Sequence, residues 1–412
     1  MTDQKRENLL NLALAATEVE RRRVPELSAG YNSYSKTWEV IVQYQGDLAF
    51  LEGQGVRVTL LLFSYAILLV PESLMDYVTG LPQITYLEKP KLLYFADAFV
   101  RSISCITPVQ EGVMGLSGNG VLLACIDSGV DYAHPDFCAP DGTSRIAILW
   151  DQTIPGNPPM GYALGSVYTR QQINEALASS TPEERFALVP SRDVTGHGTA
   201  VLGIAAGNGR SSADAAMRGV APEATLVVVK LGNPDPADLP RTSQLLQAVD
   251  FCVRYALLVE RPLVINLSFG NNYGSHSGDS LLETYLNAVS NLGQNVICIG
   301  AGNEGDTGRH YAGNLKSDRK SSGQTQTVRA TSDPAATSAV SATADRAVSV
   351  EFQVGAYESS FSLQIWKVYG DEISIELISP GGIRSGTLSP VLGTARLTLG
   401  PTELLLFYGL PS

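Results

Sequence analysis

Val121-Leu122-Leu123-Ala124-Cys125-Ile126-Asp127-Ser128-Gly129-Val130-Asp131 is the stretch on which the fold turns. An unbroken apolar run closed by Asp, Ser and Gly has the pattern of a strand buried on both faces and ending in a turn. Asp127 then stands where the strand ends. A second string, Gly196-His197-Gly198-Thr199-Ala200-Val201, sets a histidine between glycines, at the head of a small-residue segment running to Ile204-Ala205-Ala206-Gly207. Those glycines let the backbone crowd the imidazole with no Cβ in the way. A third string, Ala301-Gly302-Asn303-Glu304-Gly305, follows Asn295 to Ile299, which reads as another buried strand.

These residue types suit one chemistry. An imidazole takes the proton of a serine hydroxyl as it attacks a carbonyl, and a carboxylate on the other ring nitrogen fixes the tautomer. A side-chain amide supplies a donor to the developing oxyanion. Asp127, His197 and Asn303 are the candidates for those three roles. Taken singly, Asp127-Ser128-Gly129 also suits a plain turn and Asn303 a left-handed one. Together and in this order, each beside an apolar element, they leave the turn reading little room.

On these strings the chain resembles the subtilase family of serine proteases. The likeness extends from Asp127 through His134-Pro135-Asp136-Phe137, to Gly219-Val220-Ala221-Pro222-Glu223-Ala224, and to Val264-Ile265-Asn266-Leu267-Ser268-Phe269-Gly270. It covers roughly Val121 to Tyr311 and implies a three-layer α/β fold with a mostly parallel sheet, and endopeptidase activity. Under the resemblance Asp127 and His197 are catalytic, Asn303 donates to the oxyanion, and Ser268, Phe269 and Gly270 border the substrate pockets. Ala200 stands where most subtilases have a second histidine, a position that transfers no proton. His134 takes a structural role, and His276 and His310 fall in loops. No metal ligand is assigned and no cofactor is expected. Calcium sites are common in the family, with Asp131, Asp136 and Asp141 as candidate ligands.

Ahead of this region, Tyr31 to Phe95 reads as a strand (Trp38 to Tyr44), a short helix (Leu48 to Gly53), two strands (Gly55 to Leu62 and Ser64 to Val70), a helix opened by Pro71, and a strand (Ile84 to Leu87). That is the ferredoxin-like order, an α+β unit. Subtilase propeptides share it, so the unit resembles an intramolecular chaperone and inhibitor. Its tail, Lys89 to Asp97, is then expected in the substrate cleft and cut by the enzyme itself. Trp150 to Met160 and Thr169 to Leu188 read as surface additions. Beyond a polar stretch, Lys316 to Arg346, strand patterns recur at Ala347 to Gly355, Ser359 to Tyr369, Glu372 to Ser379 and Thr394 to Gly400, the signature of a partial antiparallel β-sandwich. Four segments result: a helical extension at 1–30, a propeptide-like unit at 31–96, an incomplete catalytic domain at 97–311 and a partial jelly-roll insert at 312–412. This layout resembles the clostridial germination proteases, which keep the propeptide bound and carry a jelly-roll insert ahead of the serine.

The family's nucleophile stands in Gly-Thr-Ser at a helix start. Gly142-Thr143-Ser144 precedes the histidine and runs into a strand-like segment, while Gly386-Thr387-Leu388-Ser389 lies among strands, so neither suits. The serine is therefore expected beyond residue 412, with this sequence a truncated one. The alternative is a pseudoprotease that binds peptides or regulates a partner, although a binding cleft needs no base.

A net charge of -12, with 41 acidic against 29 basic residues, argues against nucleic acid and anionic membranes as partners. A protein or peptide substrate and the chain's own propeptide remain. Five cysteines without paired spacing argue against a disulfide framework, and Cys125 and Cys298 read as small core residues. Met1 to Arg23 lacks the layout of a secretory signal, and Val58 to Val70 is too short to span a bilayer. A cytoplasmic or spore-associated location in a bacterium is expected.

Overall fold

The computed structural model describes residues 5–92, 94–95, 106–111, 114–212, 217–233, 239–304, 308, 310–313, 342–343, 347–355, 359–368, 370–371, 373–388 and 391–409. It opens with three helices, α1 (Asn8–Ala15), α2 (Glu18–Arg23) and the single turn α3 (Pro25–Ser28). Thr17 caps α2 in a reciprocal box with Glu20. Then come β1 (Tyr31–Asn32), β2 (Thr37–Tyr44), a 3-10 helix at Ala49–Gln54, β3 (Arg57–Leu60), β4 (Tyr65–Pro71), α4 (Met75–Gly80) and β5 (Ile84–Glu88). β2 pairs with β4 and β5, and β4 with β3, all antiparallel, which gives the ferredoxin-like strand order. Side chains alternate along β2. Trp38, Val40 and Val42 enter the unit's own core, while Ile41 joins Tyr65 and Ile67 on the opposite face. Leu10, Ala13, Ala16 and Leu27 lie in the same cluster as Trp38. The first helices thus pack into this core, with no break in packing at residue 30.

After β6 (Tyr94–Phe95) and α5 (Ile106–Glu111) the chain builds a second sheet. Its elements are β7 (Leu122–Asp127), β8 (Ile146–Asp151), β9 (Ser166–Thr169), α6 (Arg170–Leu177), α7 (Pro182–Leu188), α8 (His197–Ala206), β10 (Thr225–Lys230), α9 (Thr242–Leu258), β11 (Leu263–Leu267), β12 (Phe269–Gly270), α10 (Leu281–Ser290) and β13 (Asn295–Ile299). The order is β13-β11-β7-β10-β8-β9, parallel except for β9 against β8. β7 is apolar throughout because both of its faces are covered. Leu122, Ala124 and Ile126 meet α9, whereas Leu123 and Cys125 share a cluster with Leu202 and Ala206 of α8. This is the three-layer α/β arrangement with a mostly parallel sheet. α9 is buried almost all round, since the face of the N-terminal sheet bearing Ile41 and Ile67 covers its other side.

β13 forms where the sequence places it, but it is not a buried strand. Among the described residues it lies at the sheet edge with β11 as its one neighbour, and Val296 and Ile299 remain 55% and 59% exposed. Ile297 points to the covered face, while Cys298 points away and is exposed, so Cys298 is not a core residue.

Residues 301–363 form a separate compact unit, within which β14 (Ala342–Thr343) and β15 (Ala347–Val348) pair. Further on, the antiparallel pairing expected of the insert takes the form of bridges Ile375↔Leu388 and Ile378↔Arg384 and a hairpin of β16 (Gly393–Leu399) and β17 (Thr402–Tyr408). Among the described residues 359–368 carry no strand. The hairpin rests on the first helices, through Leu405 against the Leu10 cluster and Arg396 Nη2 on Glu20 Oε2 at 2.9 Å.

Candidate active site

Asp127 closes β7, and its carboxylate is nearly sealed from solvent, with the side chain 1% exposed. Oδ1 accepts the Ser128 amide at 2.7 Å and faces His197 Nδ1 at 2.6 Å. A carboxylate only accepts, so Nδ1 donates and carries the proton, leaving Nε2 as the basic nitrogen. Oδ2 is buried with no hydrogen-bond partner among the described residues. The imidazole itself is 9% exposed.

Two glycines make this approach possible. Gly196, at the N-cap of α8, holds φ at 77°, in the left-handed region. A Cβ on Gly198 would lie 2.2 Å from the Gly129 carbonyl oxygen and 3.1 Å from Asp127 Cβ. The first turn of α8 therefore presses directly onto the end of β7, and only glycine fits between them. In the neighbouring strand, Lys230 pairs in register with Asp127 and spends its ammonium on the Arg192 carbonyl at 2.6 Å.

Ser268-Phe269-Gly270 follows β11, next to β7. Phe269 and Gly270 form β12, which pairs antiparallel with β6, Phe269 opposite Phe95 and Gly270 opposite Tyr94. The Phe269 ring is buried in the core beside α9, so the strand offers its backbone and not this ring to a partner. Ser268 Oγ accepts Asn266 Nδ2 at 2.8 Å. Asn303 follows Gly302, whose φ is 88°, and is exposed, within the unit 301–363. The structure thus brings Asp127 and His197 together, and places Asn303 in the other compact unit.

Of the candidate calcium ligands, Asp131 Oδ1 accepts the Ala133 amide at 3.1 Å, Asp136 Oδ1 the Ser211 amide at 2.7 Å, and Asp141 Oδ1 the Thr143 amide at 2.9 Å. Asp131 and Asp141 thus cap local turns, while Asp136 ties its loop to the distant segment at Ser211. Among the described residues no group of three His, Cys, Asp or Glu gathers to hold a metal ion. Ser144 lies at the start of β8, the opposite end of the parallel sheet from Asp127, and its hydroxyl accepts the Ile146 amide at 3.1 Å. Ser389 lies outside the described residues.

The N-terminal unit is fastened to the helices beside this site. Glu88 Oε2 accepts the Leu281 amide at the start of α10 at 2.7 Å, and Lys91 exchanges bonds with Thr242 at the start of α9. Between them lies a buried cluster in which Lys91 Nζ meets both Glu7 and Glu88. Burial pushes the Glu88 carboxyl up, and the Lys91 ammonium opposes that shift. Deeper on α9, Asp250 accepts the Leu62 amide at 3.0 Å. Sequence reasoning missed Asp193, whose carboxylate touches both flanks of His197. An Asp shortly before a Thr-Gly helix start is a capping signal that would have pointed to it.

A family model described as Csp protease B prodomain matches residues 4–91, and the model of the Subtilase family matches residues 118–400. Subtilisin E of Bacillus subtilis is 26% identical over 228 residues, covering 55% of this chain and 46% of the relative. The major intracellular serine protease of the same organism is 29% identical over 205 residues, covering 50% of this chain and 49% of the relative. The chain spans about half the length of these curated relatives. The solved structure of the Clostridium perfringens CspB protease superimposes with a TM-score of 0.55 at 27% identity, covering 74% of this chain and 56% of that one. Among the described residues, no helix is long and apolar enough to cross a membrane.

Proposed function

Because the chain belongs to the subtilase family, we propose that it carries the acid–base machinery of a serine endopeptidase, with its N-terminal unit as propeptide. The observation that carries this reading is the 2.6 Å contact between Asp127 and His197, at the C-terminal end of a buried parallel strand. In the mechanism, Asp127 holds the imidazole with Nδ1 protonated. His197 Nε2 takes the proton from a serine hydroxyl as the oxygen attacks a peptide carbonyl, and returns it to the leaving amine. Asp127 stabilises the imidazolium formed between those steps and is not itself protonated. Asn303 is the proposed donor to the oxyanion, and the serine is proposed to lie beyond residue 412. Proton transfer within this set needs no cofactor.

The substrate is a protein segment in extended form, added as a strand to Phe269 and Gly270 with Ser268 at its end. Tyr94 and Phe95 pair with that strand in the way a substrate backbone would, which supports a propeptide tail that occupies the cleft and is cut there. A bacterial cytoplasm or spore is the proposed setting. The test is expression of the complete gene beside His197→Ala. Self-cleavage between the two units and hydrolysis of a denatured protein should occur in the parent and vanish in the variant. Cleavage that persists in the variant refutes the proposal.

A further inference from the structure

We propose that Asp193 is a positioning residue for His197, tying the first turn of α8 to the loop after β7. The inference rests on the active-site reading above and extends it to a residue outside the reacting groups. Asp193 Oδ2 accepts the Thr199 amide at 2.8 Å and the Thr199 hydroxyl at 2.7 Å. Oδ1 accepts the Gly196 amide at 3.0 Å and the Ser128 hydroxyl at 2.8 Å, with Thr195 Oγ1 at 3.1 Å. Both residues bordering His197 are therefore held. Gly196 is bound by Asp193 directly, and the Gly198 amide donates to Ser128 Oγ at 2.9 Å.

Ser128 is the residue after Asp127, so the same carboxylate grips the loop that carries the acid. Thr199 closes the circuit, since its hydroxyl oxygen accepts the Asp131 amide at 2.9 Å. Two segments far apart in sequence, 127–131 and 193–199, are thus pinned at several points around one side chain. Burial pushes the Asp193 carboxyl up, but the bonds from Thr199, Ser128 and Thr195 together hold it below the usual carboxylate range.

Charge gives the arrangement a second effect. His197 is the first residue of α8, where the positive end of the helix opposes an imidazolium. A carboxylate capping the same turn offsets that opposition. Asp193 never touches a reacting atom. It acts through the distance and orientation of His197 Nδ1 relative to Asp127.

The test uses the full chain with 15N-labelled histidine, as parent, Asp193→Asn and Ser128→Ala. In the parent, the His197 Nδ1 proton bonded to Asp127 should resonate far downfield. In Asp193→Asn it should broaden or disappear. The His197 protonation constant should fall roughly three- to tenfold as the offsetting charge is lost. Ser128→Ala removes the Ser128 bonds to Asp193 and the Gly198 amide but leaves the Thr199 cap and its bond to the Asp131 amide, so it should weaken the downfield signal with little change in charge. If Asp193→Asn does not fold, Ser128→Ala decides alone. In the complete enzyme, kcat should fall about ten- to hundredfold with KM unchanged. A parent without the downfield proton refutes the active-site reading itself. A parent signal that persists unchanged in both variants overturns the role given to Asp193.

Discussion

Asp250→Ala is the perturbation whose cost can be worked most fully from the structure. The carboxylate is fully buried on α9, 0% exposed, and its two oxygens serve elements from across the chain. Oδ1 accepts the Leu62 amide at 3.0 Å and the Tyr285 hydroxyl at 2.8 Å. Oδ2 accepts the Tyr162 hydroxyl and Arg254 Nε, both at 2.7 Å. Removing it strands one buried and two half-buried donors, each costing about 1–3 kcal/mol. Arg254, whose side chain is 45% exposed, adds less than about 1 kcal/mol because water screens it. Water entering the vacated space holds the total to the middle of that range, about 4–6 kcal/mol. At about 2–4 °C per kcal/mol, the apparent Tm of the unit containing α9 should fall by roughly 10–20 °C in a thermal scan.

A second readout checks the cause. Burial, reinforced by the Asp250 charge, pushes the Tyr162 and Tyr285 hydroxyls above the range in which phenols ordinarily ionise. In an alkaline titration followed by phenolate absorbance, these two should resist ionisation in the parent. In the variant they should ionise nearer the ordinary value of about 10. Because Leu62 belongs to the N-terminal unit, its amide should also exchange faster with solvent in the variant. A Tm drop below about 3 °C, with an unchanged phenolate curve, would refute the assignment of Asp250 as the hub.

Lys91→Met leaves Glu7 and Glu88 buried together without their cation, so stability should fall by about 3–5 kcal/mol in a denaturant titration. Adding Glu88→Leu to that variant should recover part of the loss, and no recovery would count against the cluster. Burial lowers the Lys89 ammonium to about 7 from 10.5, so the unfolded chain binds its proton more tightly than the folded one. The penalty is fully present below about pH 7 and is relieved as pH rises toward 10.5. Stability of the parent should therefore climb over that window more steeply than that of Lys89→Met; parallel curves would contradict it. A maleimide reagent should label Cys298 rapidly while sparing Cys125 and Cys252, whose thiols are buried and pushed up. Mass spectrometry of the digested chain reads the order directly, and early labelling of Cys252 would contradict the packing of α9.

Much of the site was legible in the chain itself, because its signals are local. The apolar run before Asp127 and the glycines around His197 each reflect what one short segment of backbone requires, a strand covered on both faces and a helix start with no room for a Cβ. The ferredoxin-like order of the N-terminal unit was readable for the same reason, from alternation and turn residues. β13 was misjudged because its composition matches that of β7. The difference is cover: Ile297 packs on the core, while the opposite face bearing Val296 and Cys298 is exposed, and local composition does not encode which faces another layer will cover. Likewise Leu10 and Ala13 look like an isolated amphipathic helix until the Trp38 core is built against them.

The sequence alone determined most element types through residue 299, the candidate pair Asp127 and His197, and the family likeness, since periodicity, turn chemistry and motif spacing all act over a few residues. Only the tertiary structure decided that Asp193 grips both segments of the site, that Asp250 gathers donors from Leu62, Tyr162 and Tyr285, and that the Phe269 ring belongs to the core. Those outcomes depend on which distant segments are pressed together. A buried carboxylate takes its partners from whatever packing brings within hydrogen-bonding distance, and no local pattern encodes that meeting.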